Sequence, residues 1–286
     1  MQCAGGDDVK DIKDQVVLIT GSTDGLGKGT AWAMAERGAY ILLHGRDKVK
    51  LERTLNELRR ATGNERIRTY RADLSSLAEV RHLAAEVQSD NEHLDLLINN
   101  AGIGFGRPNA PRELSRDGHE LRFAVNYLAP FLLTNLLIPC LRRGSPSKVL
   151  NVASLGQETI DFEDVMLTKS YSGVRAYRQS KTALVMFTFD LAERLKEDGI
   201  AVNSIHPATY MDTNMVREAG IRARNSVRTG VNAVMHVATS SELEGITGRF
   251  FDQKEEGRVI AQAYDLNARN ELRRFSEELT GFKLSP

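Results

Sequence analysis

Three features of this 286-residue sequence predict an α/β fold, a doubly wound parallel sheet with helices on both faces. Short apolar, β-branched runs alternate with longer charged segments of helical period. The runs are apolar at consecutive positions, the pattern of strands covered on both faces. A glycine-rich turn at residues 21–27 directly follows the first run, where a strand would hand over to a helix.

Residues 15–19 read as the first strand, and 29–38 as a helix with Ala31, Trp32 and Ala35 packed inward. A second strand at 40–44, a charged helix at 47–61 and a third strand at 66–70 follow. The alternation continues with a helix at 76–89, a strand at 94–98, a helix from 118 into the leucine-rich 130s, and a strand at 148–152. A helix at 176–198, a strand at 200–205, a last strand at 250–252 and a closing surface helix at 266–279 complete it. Residues 208–230 break the rhythm: Met211, Met215 and Ile221 are mixed with Arg217, Arg222, Arg224 and Arg228 at no clear period. This stretch reads as a substrate lid or as a solvated helical excursion.

With 41% hydrophobic and 27% charged residues the chain can bury a substantial core. No linker divides it, so residues 14–286 are expected to form a single domain. Basic and acidic residues number 38 each, and a net charge of zero gives no global field for nucleic acid or an anionic membrane. Cys3 and Cys140 lack metal-ligand spacing, which suits a reducing compartment and leaves no metal expected. Residues 1–13 have no apolar segment of signal or anchor type and read as a flexible tail. The longest apolar run, 128–141, is interrupted by Pro130, Thr134, Asn135 and Pro139 and reads as too short to span a bilayer. A soluble cytoplasmic protein with no membrane partner is expected.

If 176–198 is helical, Tyr177 and Lys181 stand at i and i+4 on one face. An unperturbed phenol has a pKa of about 10, and a neighbouring cation favours its ionised form. The pair is a candidate general acid/base, although the same spacing alone suits an ordinary surface pair.

The turn Gly21-Ser22-Thr23-Asp24-Gly25-Leu26-Gly27 has the glycines that let a pyrophosphate approach a helix N-terminus. Its Gly-x-x-x-Gly-x-Gly spacing differs from the Gly-x-Gly-x-x-Gly dinucleotide fingerprint. After the second strand, Arg46 stands where an acidic residue would hold a ribose 2′-hydroxyl. A guanidinium suits a 2′-phosphate, so NADP(H) is preferred, with NAD(H) kept open by Asp47. Asp73-Leu74 and Asn100-Ala101-Gly102 follow the third and fourth strands, at the sheet edge where open α/β folds bind ligands.

In order, Thr20-Gly21-x-x-x-Gly25-x-Gly27, Asp73, Asn99-Asn100-Ala101-Gly102, Asn126, Ser154, Tyr177-x-x-x-Lys181 and His206-Pro207 resemble the motifs of the short-chain dehydrogenase/reductase family across residues 14–282. The resemblance implies one Rossmann-type catalytic domain and hydride transfer between a nicotinamide and a carbonyl or alcohol. It implies that Ser154 binds the substrate oxygen, Tyr177 exchanges the proton, Lys181 holds the ribose and lowers the tyrosine pKa, and Asn126 supports a water relay. It places Pro207, Thr209 and Thr213 at the cofactor, with either threonine able to bond the carboxamide. Ala208 departs from the usual Pro-Gly.

Residues 125–134, the 23-position step from Ser154 to Tyr177 and Thr247-Gly248-Arg249-Phe250-Phe251 are similar to the retinol-dehydrogenase-like branch, implying a lipophilic small-molecule substrate. Many animal members of that branch carry an N-terminal anchor unlike residues 1–13, so a retinoid is not implied. A homodimer is expected from the resemblance and from Leu184, Phe187, Leu191 and Leu195, which could serve a partner or the chain's own sheet. The alternatives are a nicotinamide-binding sensor or scaffold without turnover, and an epimerase or dehydratase on the same fold.

Overall fold

Eight strands join in one sheet of order β3-β2-β1-β4-β5-β6-β7-β8. The structure, a computed structural model, describes residues 10–283. The strands are β1 (Val16–Ile19), β2 (Tyr40–Gly45), β3 (Ile67–Arg71), β4 (Leu96–Asn99), β5 (Ser147–Val152), β6 (Ile200–His206), β7 (Phe250–Asp252) and β8 (Glu255–Glu256). The first seven run parallel, and β8 turns back antiparallel on β7.

Period-2 alternation divides the core. Val17 and Ile19 enter one apolar cluster, with Met34, Leu51 and Val234, whereas Leu18 enters the other, with Leu83, Leu132 and Leu184. Helices α1 (Gly25–Ala35) and α2 (Lys48–Thr62) supply the first layer, and α3 (Leu77–Asp90) the second. Their ends are written locally: Asp47 caps α2, Ser76 caps α3 by accepting from the Glu79 N–H, and Gly63 closes α2 at φ +69°. Because the chain winds outward from β1 to β3 and then returns to β4, the strand order reverses between β1 and β4. The crevice at the carboxyl ends there is the expected ligand site.

A continuous helical stretch runs from Leu121 to Arg143: α4 (Leu121–Phe123), a π-helical turn over Ala124–Leu128 and α5 (Ala129–Arg143). Its length and apolarity would suffice to cross a membrane, contrary to the sequence expectation, because neither Pro130 nor Pro139 breaks it. Its most apolar window is 89% buried inside the fold, as the central helix of a covered sheet requires.

The remaining helices are α6 (Gly173–Arg194), α7 (Asn214–Glu218), α8 (Val227–Thr239) and α9 (Leu266–Thr280). Helix α1 starts at Gly25, four residues before the expected start, so Gly25 and Gly27 lie within its first turn. The 208–230 excursion resolves into α7 and the start of α8, and α8 packs on α1 with Val231 against Gly29. Part of the tail is also placed. Residues 1–9 lie outside the described region, but Lys10 donates to Asp95 at 2.6 Å and Ile12–Asp14 form a 3-10 turn. Leu184, Phe187, Leu191 and Leu195 are all buried in the chain's own core, which removes them as a surface for a second copy.

Candidate active site

The glycine turn is built mainly by hydrogen bonds between segments. Ser22 is fully buried; its N–H donates to the His44 carbonyl, and its hydroxyl accepts the His44 N–H at 2.9 Å. His44 Nδ1 accepts the Gly21 N–H at 3.1 Å, while Nε2 lies 3.2 Å from the Ala72 carbonyl. This bonding defines a neutral imidazole with the proton on Nε2, and burial pushes its pKa down to about 4. From the other side, Asn100 Nδ2 donates to the Thr20 and Gly21 carbonyls, and Thr20 Oγ1 accepts from the Asn100 and Ala101 N–H groups.

The turn also needs its glycines. Gly21 has φ +66° and Gly25 φ +50°, and a Cβ on Gly21 would stand 2.9 Å from the Ala101 Cα. Asp24 caps α1 through the Gly25 N–H, and among the described residues no acceptor meets the N–H groups of Leu26 and Gly27. The Leu26 side chain is buried. Free N–H groups at a helix N-terminus, beside a backbone shaved to glycine, fit a dinucleotide pyrophosphate.

Arg46 is exposed past the end of β2, near enough to help lower the Asp73 pKa. Asp47 is committed to α2, accepting the Lys50 N–H at 3.0 Å. Thr23 packs on Gly45, and Leu74 is buried behind Asp73. Past β6, Pro207 is buried, Thr209 bonds His206 at 3.0 Å, and Thr213 packs against Gly25. Asn214 donates to Asp24, so the segment after β6 leans over the glycine turn. The two threonines thus occupy different places, Thr213 at the turn and Thr209 deeper at β6.

At the other end of the crevice, Ser154 lies just past β5, and α6 presents Tyr177 and Lys181 on one face. Lys181 Nζ donates to the Val152 carbonyl at 2.8 Å and lies 5.8 Å from the Tyr177 ring centroid. Phe105 meets that ring edge-on at 5.7 Å. The expected acidification of the phenol is not built into the protein alone. Burial raises the Tyr177 pKa above its ordinary value, the nearby Tyr210 adds to this, and only a hydrogen bond with Ser154 opposes it. Burial also pushes Lys181 down to about 8. Both charged forms are penalised by burial, and the one hydrogen bond of the ammonium goes to the Val152 carbonyl.

Asn126 sits in the π-helical turn with its side chain fully engaged. Oδ1 accepts the Ile103 N–H at 2.8 Å, and Nδ2 donates to the Ile103 carbonyl and to Ser180 Oγ, each at 3.0 Å. The amide therefore clasps the loop after β4. Gly102, between this amide and Lys181, has room for little more than hydrogen: a Cβ would be 3.2 Å from Asn126 Oδ1 and 3.6 Å from Lys181 Nζ.

Sequence reasoning passed over His44, Tyr210 and Arg122. His44 had a signal in its place at the end of a strand facing the glycine turn. Tyr210, at φ +48° with the Arg224 guanidinium 5.4 Å from its ring, had none, since non-glycine residues give no sequence mark of a left-handed backbone.

A family model described as short chain dehydrogenase matches residues 15–224. Retinol dehydrogenase 13 of Mus musculus is 35% identical over 96% of this chain and 86% of its own length. Among solved structures, 3-ketoacyl-(acyl-carrier-protein) reductase from Brucella melitensis complexed with NADH superposes with a TM-score of 0.68 at 26% identity, covering 84% of this chain and 97% of that one. The Pseudomonas aeruginosa RhlG/NADP active-site complex gives the same TM-score and identity, covering 83% and 94%. The glycine turn and the Ser154, Tyr177 and Lys181 set therefore sit on a fold shared with nicotinamide-dependent enzymes, and the chain belongs to the short-chain dehydrogenase family, in its retinol-dehydrogenase-like branch, as an NAD(P)-dependent oxidoreductase of CH–OH and C=O groups.

Proposed function

We propose that the protein is an NADP(H)-preferring oxidoreductase of lipophilic carbonyls and alcohols, with Tyr177 as general acid/base. The observation that carries this reading is the convergence of Ser154, Tyr177 and Lys181 at the crevice end opposite the glycine turn. The nicotinamide, when bound, supplies or accepts the hydride. Tyr177 gives the developing alkoxide its proton in reduction and takes one from the alcohol in oxidation. Its raised pKa keeps it protonated at neutral pH in the free protein, ready to donate. Ser154 donates to the same substrate oxygen, a contact of the kind worth about 3 kcal/mol in a transition state. Lys181, in reach of the ribose side of the cleft, contributes positive charge below about pH 8.

The NADP(H) preference is supported by the division of labour after β2: Asp47 caps α2, and Arg46 is left exposed. A lipophilic substrate is supported by two exposed apolar side chains close in sequence to the catalytic residues, Leu155 (47%) beside Ser154 and Val174 (41%) three positions before Tyr177. Met215 packs against Gly104 nearby. The name of the retinol dehydrogenase relative is consistent with a long apolar substrate.

The test is turnover of NADPH and NADH with all-trans-retinal, decanal and acetophenone, by the parent and by Tyr177→Phe. Reduction of at least one of them by the parent alone supports the reading. Cofactor binding with no turnover would favour the sensor alternative, and equal turnover by both proteins would remove Tyr177 from the chemistry.

A further inference from the structure

We propose that Arg122 is a positioning residue for Tyr177, joining through one buried guanidinium the three chain segments that form the catalytic end of the crevice. The inference rests on Tyr177 acting as the proton donor, as argued above.

Arg122 is only 3% exposed and stands in α4, one turn before Asn126. Its Nε donates to the Gly104 carbonyl at 2.8 Å, in the loop that carries Phe105 onto the Tyr177 ring. Its Nη1 donates to the Tyr171 hydroxyl at 2.8 Å, two residues before α6 begins. The loop is fitted to it closely: a Cβ on Gly106 would stand 2.7 Å from Nη2, and one on Gly173 would strike the Phe105 carbonyl and lie 3.7 Å from Nε. Asn126 grips the same loop one residue earlier, at Ile103. The segments after β4, through the π-helical turn and into α6 are thus held in register by two side chains a turn apart.

The charge is matched locally. Glu120, 1% exposed, lies 3.5 Å from Nη1 and also accepts the Phe123 N–H at 2.7 Å, and the exposed Glu113 lies 3.9 Å away. A buried ion pair is seldom a net source of stability, so its burial beside the site points to geometry as its use. Only a guanidinium suits the place, since its rigid fork reaches Gly104 and Tyr171 in different directions and an ammonium offers one point.

Two variants test this, assayed with NADPH and whichever panel carbonyl the parent reduces fastest. Arg122→Lys keeps a cation beside Glu120 and loses the fork. Tyr171→Phe removes one arm and no charge. We expect kcat per titrated site to fall about 100-fold for the first and about 10-fold for the second. NADPH affinity should stay within about threefold of the parent, because the glycine turn is held by other residues. Parent-like kcat in both variants, or kcat and NADPH affinity falling in step, would overturn the proposal by showing no specific link to Tyr177. If Arg122→Lys does not fold, Tyr171→Phe decides alone. Should Tyr177→Phe keep full turnover, the underlying reading has failed; should it be inactive while both clamp variants run at the parent rate, only the positioning inference has failed.

Discussion

At the glycine turn, neutral polar groups already have protein partners: Ser22 with His44, His44 with Gly21 and Ala72, Asn100 with Thr20 and Gly21. At the Tyr177 and Lys181 end, burial opposes the charged form of both groups. One region is finished by folding; the other holds ionisable side chains in surroundings that favour their neutral forms. The difference teaches where each kind of work is done. Binding a dinucleotide backbone needs N–H groups in place, whereas proton transfer needs a group whose two protonation states can be exchanged when the reaction demands it.

The largest expected break of this contrast is Tyr177→Phe. It removes the transferable proton and leaves the ring against Phe105, so turnover should fall about 1,000-fold. Dissociation constants for NADPH and unfolding midpoints should stay near those of the parent. A loss of cofactor affinity as large as the loss of turnover would mean that the two ends are not separable.

His44 and Lys181 give the two regions pH signatures on opposite sides of neutrality. His44 has a folded pKa of about 4 against an ordinary 6.5. Between these values the unfolded chain binds the proton first, so its stabilising contribution, full above pH 6.5, is lost as the pH falls toward 4. The difference should be about 3 kcal/mol relative to His44→Gln, read from urea unfolding across that window. A parallel pH dependence of the two proteins would show that the imidazole is free to protonate in place.

Lys181 acts with the same sign in a higher window. Its folded pKa of about 8 lies below the ordinary 10.5, so the parent gains stability as the pH rises from 8 to 10.5 and carries the full cost of the buried ammonium below 8. Lys181→Met should therefore lose turnover yet unfold with about 2 kcal/mol more stability at pH 7, after allowance for the Val152 carbonyl left unpaired. That advantage should vanish above pH 10.5. A Lys181→Met protein less stable than the parent at pH 7 would contradict a charge held at a cost.

Much of this contrast could be read from the residues in order. The strands were legible because Val16–Ile19 and their counterparts are continuously apolar, and the site because the glycines and Ser154 fall just past strand ends while Tyr177 and Lys181 share one face of α6 at i and i+4. The start of α1 was not, because Gly25 and Gly27 have poor helix propensity, and the helix begins there with Asp24 capping it and Gly29 packed against Val231 of α8. Helix α8 hid in an arginine-bearing stretch whose inward residues, such as Val231 and Val234, fall beyond the apparent break. The raised pKa of Tyr177 was illegible for a different reason: spacing on a helix brings a lysine near the ring, but burial, which raises the phenol pKa, follows from the tertiary packing around it.

The smallest effect expected belongs to Arg46, an exposed side chain at the nucleotide end. Asp47 is held by the Lys50 N–H, so it is poorly placed to turn toward a ribose 2′-hydroxyl. Arg46 is exposed past β2 and can approach a 2′-phosphate without breaking an existing pair, its neighbour Asp73 being already engaged by Arg116 at 3.4 Å. A charge-assisted bond at an exposed position should favour NADPH over NADH by about tenfold, or roughly 1.4 kcal/mol. Arg46→Ala should erase that preference, leave NADH affinity within about twofold, and flatten the salt dependence of NADPH binding, since the contact is screened. Titration of both cofactors at two salt concentrations reads all three quantities. Tighter NADH binding by the parent would mean that Asp47 leaves its helix cap to take the ribose, and the nucleotide end would then be less finished by folding than its hydrogen bonds indicate.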